Sequence, residues 1–80
     1  MTPFLKAVDK EQESQFAKWG EQNHIQALWL LILAEEFGEV SKEVNELHFR
    51  KASIPNLKAE LIQVAAVAAS MYESLERNGK

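Results

Sequence analysis

The chain has 80 residues, enough for one domain at most, and it contains no cysteine, which excludes disulfide bridges and thiolate metal sites. Its formal net charge of −3 and its scattered basic residues argue against nucleic-acid binding. The first residues lack the basic and apolar regions of a signal peptide, and no uncharged run reaches the roughly 20 residues that span a bilayer. We therefore expect a single cytoplasmic domain over residues 1–80 with no membrane partner.

The first predicted helix covers residues 3–19. Thr2 and Pro3 form the pair of N-cap and first helical residue with which many helices begin. Gly20 is suited to a left-handed position that ends the helix after Trp19. The middle of this segment, 9–14, is polar at nearly every position, so we expect the helix to fray or break there.

The second predicted helix runs from His24 to Phe49. Asn23 as the N-cap, with Gln26 three residues later, gives a capping-box pattern. Six apolar residues then recur at alternating spacings of three and four, the period of one helix face, and we call them the apolar seam: Leu30, Leu33, Phe37, Val40, Val44 and Leu47. The segment that follows, 51–56, contains Pro55 and is predicted to be a loop.

The third predicted helix runs from Asn56 to Arg77 and stops near Gly79. Between Leu61 and Tyr72 it is apolar on nearly every side, which predicts burial on nearly every side. Two other helices of the same chain cannot cover that much surface. The fold class we predict is therefore all-α, with a three-helix protomer that forms a helical bundle by dimerisation, as a two-fold dimer or a dimer of dimers.

Three glutamates of the second helix form the most informative pattern of the chain. Glu35, Glu36 and Glu39 are neighbours on a helix surface, and like charges at this spacing cost a few tenths of a kcal/mol per pair. No basic residue between positions 24 and 42 offsets them. A hard divalent cation, which prefers oxygen ligands, would neutralise the cluster. The alternative is an ordinary solvated helix face.

The third helix adds Glu60 and, three residues later on the same face, Gln63. Gln63 is the one strongly polar group early in the apolar run, so it needs a hydrogen-bond partner or a ligand. If the second and third helices pack antiparallel, these two side chains face the acids of the second helix. A glutamine that bonds across a dimer interface is the alternative for Gln63.

The order Glu35-Glu36-x-x-Glu39, followed by Glu60-x-x-Gln63, resembles the EE-x-x-E…E-x-x-D pattern of MazG-like nucleoside triphosphate pyrophosphohydrolases, which belong to the all-α NTP pyrophosphatase superfamily. The flanking residues 18–24 and 60–68 are similar to small single-domain members, and the resemblance covers residues 16–76. It implies a helical bundle assembled from two chains as a homodimer or homotetramer. It also implies Mg²⁺-dependent hydrolysis of a nucleoside triphosphate to the monophosphate and pyrophosphate, in nucleotide-pool housecleaning.

Carried over by position, the resemblance implies that Glu36, Glu39 and Glu60 are ligands of Mg²⁺, or of Mn²⁺. Glu35 would be a further ligand or the base that orients water, so that Glu35, Glu36 and Glu39 form the catalytic set. Gln63 stands where the family has Asp. Either its carbonyl oxygen contributes to a working but weaker metal site, or the chain is a degenerate member. The alternative function is then a non-catalytic helical oligomer that binds nucleotide or a protein partner.

Three further residues are candidates for substrate binding. Trp19 and His24 would line a pocket for the base, and Lys58 would reach the phosphates. The alternatives are core packing for the tryptophans, a helix-terminus position for His24 and simple solvation for Lys58. Trp29 lies beside the apolar seam, which favours core packing for that residue.

Overall fold

The computed structural model of the chain describes residues 1–49 and 53–79; positions 50–52, which include the start of the predicted loop, lie outside the described residues. The described part contains no strand and three helices: α1 (Pro3–Trp19), α2 (Gln26–Phe49) and α3 (Ile54–Asn78). The all-α class and the three-helix organisation are thus confirmed. Of the described helices, none is both long enough and apolar enough to cross a membrane.

The two ends of α1 are those that its capping residues predict. Thr2 Oγ1 accepts a hydrogen bond from the Leu5 backbone N–H at 3.1 Å, which satisfies one of the free donors of the first turn. At the other end the Gly20 N–H donates to the Phe16 carbonyl at 2.7 Å. Gly20 has φ +73° and ψ −168°, so the positive φ is present but the residue lies outside the left-handed helical region that was expected.

The predicted break in the middle of α1 is wrong, because the helix is continuous from end to end. Its polar side chains find partners on α3 instead of competing for their own backbone. Gln12 Nε2 donates to Ser70 Oγ at 3.2 Å and to Glu73 Oε1 at 2.7 Å. Gln15 Nε2 donates to Gln63 Oε1 at 3.3 Å. The polar segment is therefore part of a helix–helix interface.

The helix α2 begins at Gln26, two residues later than predicted, and Asn23 is not its N-cap. The first turn closes on the Ile25 carbonyl, which accepts a hydrogen bond from the Trp29 N–H at 3.1 Å. The Asn23 side chain is engaged elsewhere, by the last turn of α3. A tertiary contact has therefore overridden the local capping pattern.

The helix α3 is three residues longer than predicted. It begins at Ile54, and Ser53 is the N-cap, whose Oγ accepts a hydrogen bond from the Asn56 N–H at 3.2 Å. It ends at Asn78, and Gly79 closes it in the left-handed conformation, with φ +68° and ψ 24°. The predicted loop is correspondingly shorter, because its last three positions belong to α3.

The third helix lies between the other two. α3 packs against both α1 and α2, whereas the described backbones of α1 and α2 do not approach each other. The buried side chains among the described residues are few: Val8 of α1, Trp29 of α2, and Ala66, Val67 and Ser74 of α3. Because the two outer helices meet only α3, they leave a cleft between them.

The apolar seam of α2 does not all face α3. It divides into a half-buried row, Leu33, Val40 and Leu47, and an exposed row, Leu30, Phe37 and Val44. The deepest side chain of α2 is Trp29, which is only 1% exposed. Glu36 follows Trp29 by seven residues, about two helical turns, so it lies on the same side of the helix and is half-buried. Packing of the tryptophan thus turns Glu36 inward.

The conformation of Gly20 predicts opposite effects for two Gly→Ala substitutions. A Cβ added at Gly20 or at Gly38 would meet no atom within 4 Å, so neither change is limited by space. Gly20 occupies a backbone region that is essentially restricted to glycine, and Gly20→Ala should lower the free energy of unfolding by about 1–3 kcal/mol. Gly38 lies inside α2, so Gly38→Ala should raise it by about 0.5–1 kcal/mol.

Urea unfolding of the two variants beside the wild type measures both changes. Gly38→Ala is the matched control, since it adds the same methyl group at an ordinary helical position. If Gly20→Ala is as stable as Gly38→Ala, the strained conformation does not hold in solution.

Candidate functional site

The cleft between α1 and α2 has a volume of about 280 Å³, and residues from all three helices line it. Glu11, Lys18 and Trp19 belong to the α1 side. Glu36 belongs to the α2 side, and Gln63 of α3 lies between the two walls. We call this space the Glu36 cleft. It brings together three residues that the sequence singles out, namely Trp19, Glu36 and Gln63.

Helical spacing explains why these side chains meet. On α1, Glu11 and Lys18 are seven residues apart, which places them on one face about two turns from each other. On α3, Gln63 precedes the buried Val67 by four residues and therefore points towards the same side of that helix. On α2, Glu36 shares the inward side with Trp29. Each helix thus contributes its packed face to the cleft.

The electrostatics of the cleft centre on Glu36. Its burial, first, and then four neighbouring carboxylates raise the pKa of the Glu36 side chain above the ordinary value of 4.5. In decreasing order of effect these carboxylates belong to Glu60, Glu39, Glu35 and Glu11. Glu60 of α3 therefore lies close enough to Glu36 of α2 to raise its pKa. Glu11 of α1 is an additional member, so all three helices contribute to the cluster.

The acids of the cluster differ in their exposure. Glu36 and Glu60 are half-buried, whereas Glu35 and Glu39 are exposed on α2. Within the described residues, no three Asp, Glu, His or Cys side chains are arranged closely enough to hold a metal ion by themselves. Carboxylate oxygens are nevertheless the ligand type that Mg²⁺ takes in proteins. The donor chemistry fits Mg²⁺ if water and substrate oxygens complete its coordination, which is the usual arrangement for this ion.

The polar partner that Gln63 requires is Gln15. Gln15 Nε2 lies 3.3 Å from Gln63 Oε1 and 3.1 Å from Glu11 Oε2, so one amide group bridges the floor of the cleft and its acidic wall. The partner thus comes from α1 of the same chain. Through this one nitrogen atom, Gln15 keeps the Glu11 carboxylate and the Gln63 carbonyl oxygen close together at the edge of the cluster around Glu36.

Two neighbouring side chains give the cleft an aromatic and basic rim. Trp19 is 65% exposed, and Lys18 Nζ lies 5.7 Å from the centroid of its ring, within the range of a cation–π interaction. Lys18 is the one basic side chain among the described residues that line the cleft. Sequence reasoning missed Lys18 and Glu11. Their seven-residue spacing on one face of α1 would have indicated them, but the polar middle of this helix was interpreted as a site of fraying.

The other predicted substrate-binding residues lie away from the cleft. The His24 ring packs edge-on against Trp29, with 4.8 Å between the ring centroids and 63° between the planes. Trp29 is buried, in agreement with the core-packing alternative. Lys58 is exposed on the second turn of α3. Neither His24 nor Lys58 lines the Glu36 cleft.

The raised pKa of Glu36 predicts a pH-dependent stability difference. Because folding raises this pKa, the ionised carboxylate destabilises the fold at neutral pH, and the penalty disappears as the pH falls below 4.5. Glu36→Gln should therefore raise the free energy of unfolding at pH 7, by a few tenths of a kcal/mol for each like-charge neighbour it relieves. The gain should shrink as the pH is lowered through the titration range.

Thermal unfolding of wild type and Glu36→Gln across this pH range tests the prediction. Glu76→Gln, at an exposed position of the last turn of α3, is the control for removing one negative charge from the chain. If both variants gain the same stability, or if the gain of Glu36→Gln does not change with pH, then the cluster does not raise the pKa of Glu36.

Comparisons with known proteins give no neighbour for this chain. No protein-family model matches it. No curated protein and no solved structure matches it either. The function of the cleft therefore has to follow from its own residues and from the sequence resemblance that they carry.

Proposed function

We propose that the protein hydrolyses nucleoside triphosphates to the monophosphate and pyrophosphate, with Mg²⁺ bound at the carboxylates around Glu36. The observation that carries this proposal is the grouping of four carboxylates, from all three helices, around the half-buried Glu36 of the cleft. Such a cluster raises the free energy of the fold unless a cation neutralises it. The resemblance to MazG-like pyrophosphohydrolases assigns the same glutamates of α2 and α3 to Mg²⁺.

In this proposal Glu36, Glu39 and Glu60 hold the metal ion, and the Gln63 carbonyl oxygen is a weaker, neutral donor beside them. Bound Mg²⁺ would neutralise the triphosphate and stabilise the charge that develops as phosphoryl transfer proceeds. Without a preformed cage, the site would assemble together with its substrate. The absence of the family's Asp at position 63 would then reduce metal affinity without removing the carboxylate ligands.

The attacking water needs a base that is not itself fully engaged by metal. Glu35 is adjacent to Glu36 in the chain but exposed, and we assign it this role. A bond forms between the water oxygen and the α-phosphorus, and the bond from that phosphorus to the bridging oxygen breaks. Pyrophosphate leaves, and the proton of the water passes to the Glu35 carboxylate. Positioning and charge neutralisation carry most of the catalysis in such reactions.

Nucleotide recognition falls to the rim of the cleft. The exposed ring of Trp19 offers a stacking surface for a base, and Lys18 offers a positive charge for phosphate oxygens in a cleft that is otherwise acidic. His24 would act only indirectly, through its packing on Trp29. Lys58 is too exposed for its surroundings to indicate a role. We expect Lys18 to take the place that the sequence suggested for Lys58.

A homodimer, alone or paired into a tetramer, is the assembly that we propose. The described core is small, as expected for a chain of this length. The row Leu30, Phe37 and Val44 leaves an apolar stripe of α2 exposed, and α3 exposes Leu61 and Tyr72. Residues seven apart on one helix form the kind of stripe that packs against another helix. A second copy of the chain would bury these surfaces.

The non-catalytic alternative has one specific observation in its favour. The Gln63 oxygen already accepts a hydrogen bond from Gln15, and it stands where the family pattern has a charged ligand. A cleft of this kind can bind a nucleotide without turning it over efficiently. The direct test of the two functions is the reaction itself.

The proposed activity predicts pyrophosphate release from nucleoside triphosphates that requires Mg²⁺ and stops with EDTA. Glu36→Gln and Glu39→Gln should each lower turnover at least about 100-fold, the scale of losing a group that acts in the transition state. The measurement is pyrophosphate and monophosphate produced from a panel of ribo- and deoxynucleotides, with helical content checked by circular dichroism. Glu76→Gln is the matched control and should keep wild-type activity.

Two results would decide against catalysis at this site. Retained turnover in both Glu36→Gln and Glu39→Gln would place the chemistry elsewhere. No release from any nucleotide by the folded wild type would favour the binding role, and Mg²⁺-independent binding of nucleotide would then support it.

The exposed α2 row predicts the assembly state. Phe37→Asn should shift the protein towards the monomer, because it removes the central apolar side chain of the row, which is 64% exposed in the single chain. Phe4→Asn is the matched control, since Phe4 is also exposed but lies at the start of α1. Sedimentation velocity at several concentrations gives the measurement. A wild type that stays monomeric, or a Phe37→Asn variant that dimerises like Phe4→Asn, would contradict the proposed interface.

A further inference from the structure

The connection between α1 and α2 is held by the last turn of α3. Asn23 Oδ1 accepts hydrogen bonds from Arg77 Nε at 3.2 Å, from Arg77 Nη2 at 3.0 Å and from Asn78 Nδ2 at 2.8 Å. Arg77 Nη2 also donates to the Gln22 carbonyl at 3.0 Å. Glu21 completes the group, with Oε1 3.4 Å from Arg77 Nε and Oε2 accepting from Asn23 Nδ2 at 2.9 Å. We call these five residues the Arg77 clamp.

The geometry of the clamp depends on the guanidinium group. Arg77 donates to a side-chain oxygen and to a backbone carbonyl of successive residues, which the planar fork of arginine allows and a lysine ammonium does not reproduce. The ion pair with Glu21 is partly exposed to solvent and therefore contributes little to stability by itself. The clamp consequently acts by fixing the position of the connection more than by stabilising the whole fold.

The clamped connection carries part of the Glu36 cleft. Trp19 and Gln22 line the cleft on either side of Gly20, and Arg77 is not among the lining residues. The carbonyl that Arg77 holds belongs to Gln22 itself. Because Trp19 is largely exposed, burial does not fix it. Gln22 is the one described lining residue outside the helices, so the conformation at Gly20 and the clamp beyond it set its position in the cleft.

We propose that Arg77 is a positioning residue for nucleotide binding, which acts through Gln22 and Asn23 without touching the substrate; this inference rests on the proposed function. Loss of the clamp leaves the carboxylates around Glu36 in place, because they belong to the bodies of the helices. It frees Gln22, which lines the cleft beside Trp19, so nucleotide affinity falls while the chemical step is preserved. The expected signature is KM and Kd raised about tenfold, with kcat within about twofold of wild type.

The test compares Arg77→Met, Arg77→Lys and Asn23→Ala with wild type. The substrate is the nucleotide that wild type hydrolyses fastest, and its α,β-imido analogue is the probe for binding. Arg77→Met and Asn23→Ala should both show the rise in KM and in the Kd of the analogue. Arg77→Lys keeps the charge but not the fork, so it should resemble Arg77→Met. Glu76→Gln, one residue before the clamp arginine on α3, should match wild type.

Circular dichroism checks that each variant is folded. If Arg77→Met does not fold, Asn23→Ala still tests the clamp, because it changes no residue of α3. Unchanged KM and Kd in the folded variants, or full rescue by lysine, would overturn the inference while leaving the proposed function standing. A fall in kcat without a change in KM would also overturn it. If wild type releases pyrophosphate from no nucleotide, the proposed function fails first and this inference fails with it.

Discussion

The contact of α3 with both other helices is the constraint on which the rest of the structure depends. The described backbones of α1 and α2 do not meet, so each is positioned only through α3 and the connections of the chain. α1 contributes one buried side chain, Val8, whose burial stabilises by about 1.5–3 kcal/mol at most. The glutamine hydrogen bonds to α3 add roughly 0.5–1.5 kcal/mol each. The wall of the cleft that α1 forms is therefore positioned through α3.

The position of Glu36 follows from the burial of Trp29. An indole removes about 150–250 Å² from water, which corresponds to roughly 4–6 kcal/mol. The like-charge contacts of an exposed helix cost only a few tenths of a kcal/mol per pair. Since the two residues are two turns apart on α2, the helix cannot bury Trp29 without turning Glu36 towards the acids of α1 and α3. Hydrophobic packing thus offsets an electrostatic penalty that is placed at the cleft.

Local chemistry made the ends of α1 and the stop of α3 predictable from the sequence, because Thr2, Gly20 and Gly79 act within one turn of their own position. The period of apolar residues predicted α2 but not its rotation, since the seam has two rows and only one of them faces α3. The α2 and α3 acids of the cluster were found from their spacing. Glu11 and Lys18 were not, because polar residues on an amphipathic helix look solvated until the neighbouring helix is known.

Asn23 shows why the start of α2 was predicted wrongly. A capping asparagine is worth about 0.5–2 kcal/mol, and the local pattern favoured that use. Its oxygen instead accepts hydrogen bonds from two residues that are more than fifty positions further along the chain. One oxygen cannot serve both roles, and the contact that formed ties the end of α3 to the connection that carries Gln22 of the cleft. The contact that the sequence pattern could not show is therefore the one that connects α3 to the candidate site.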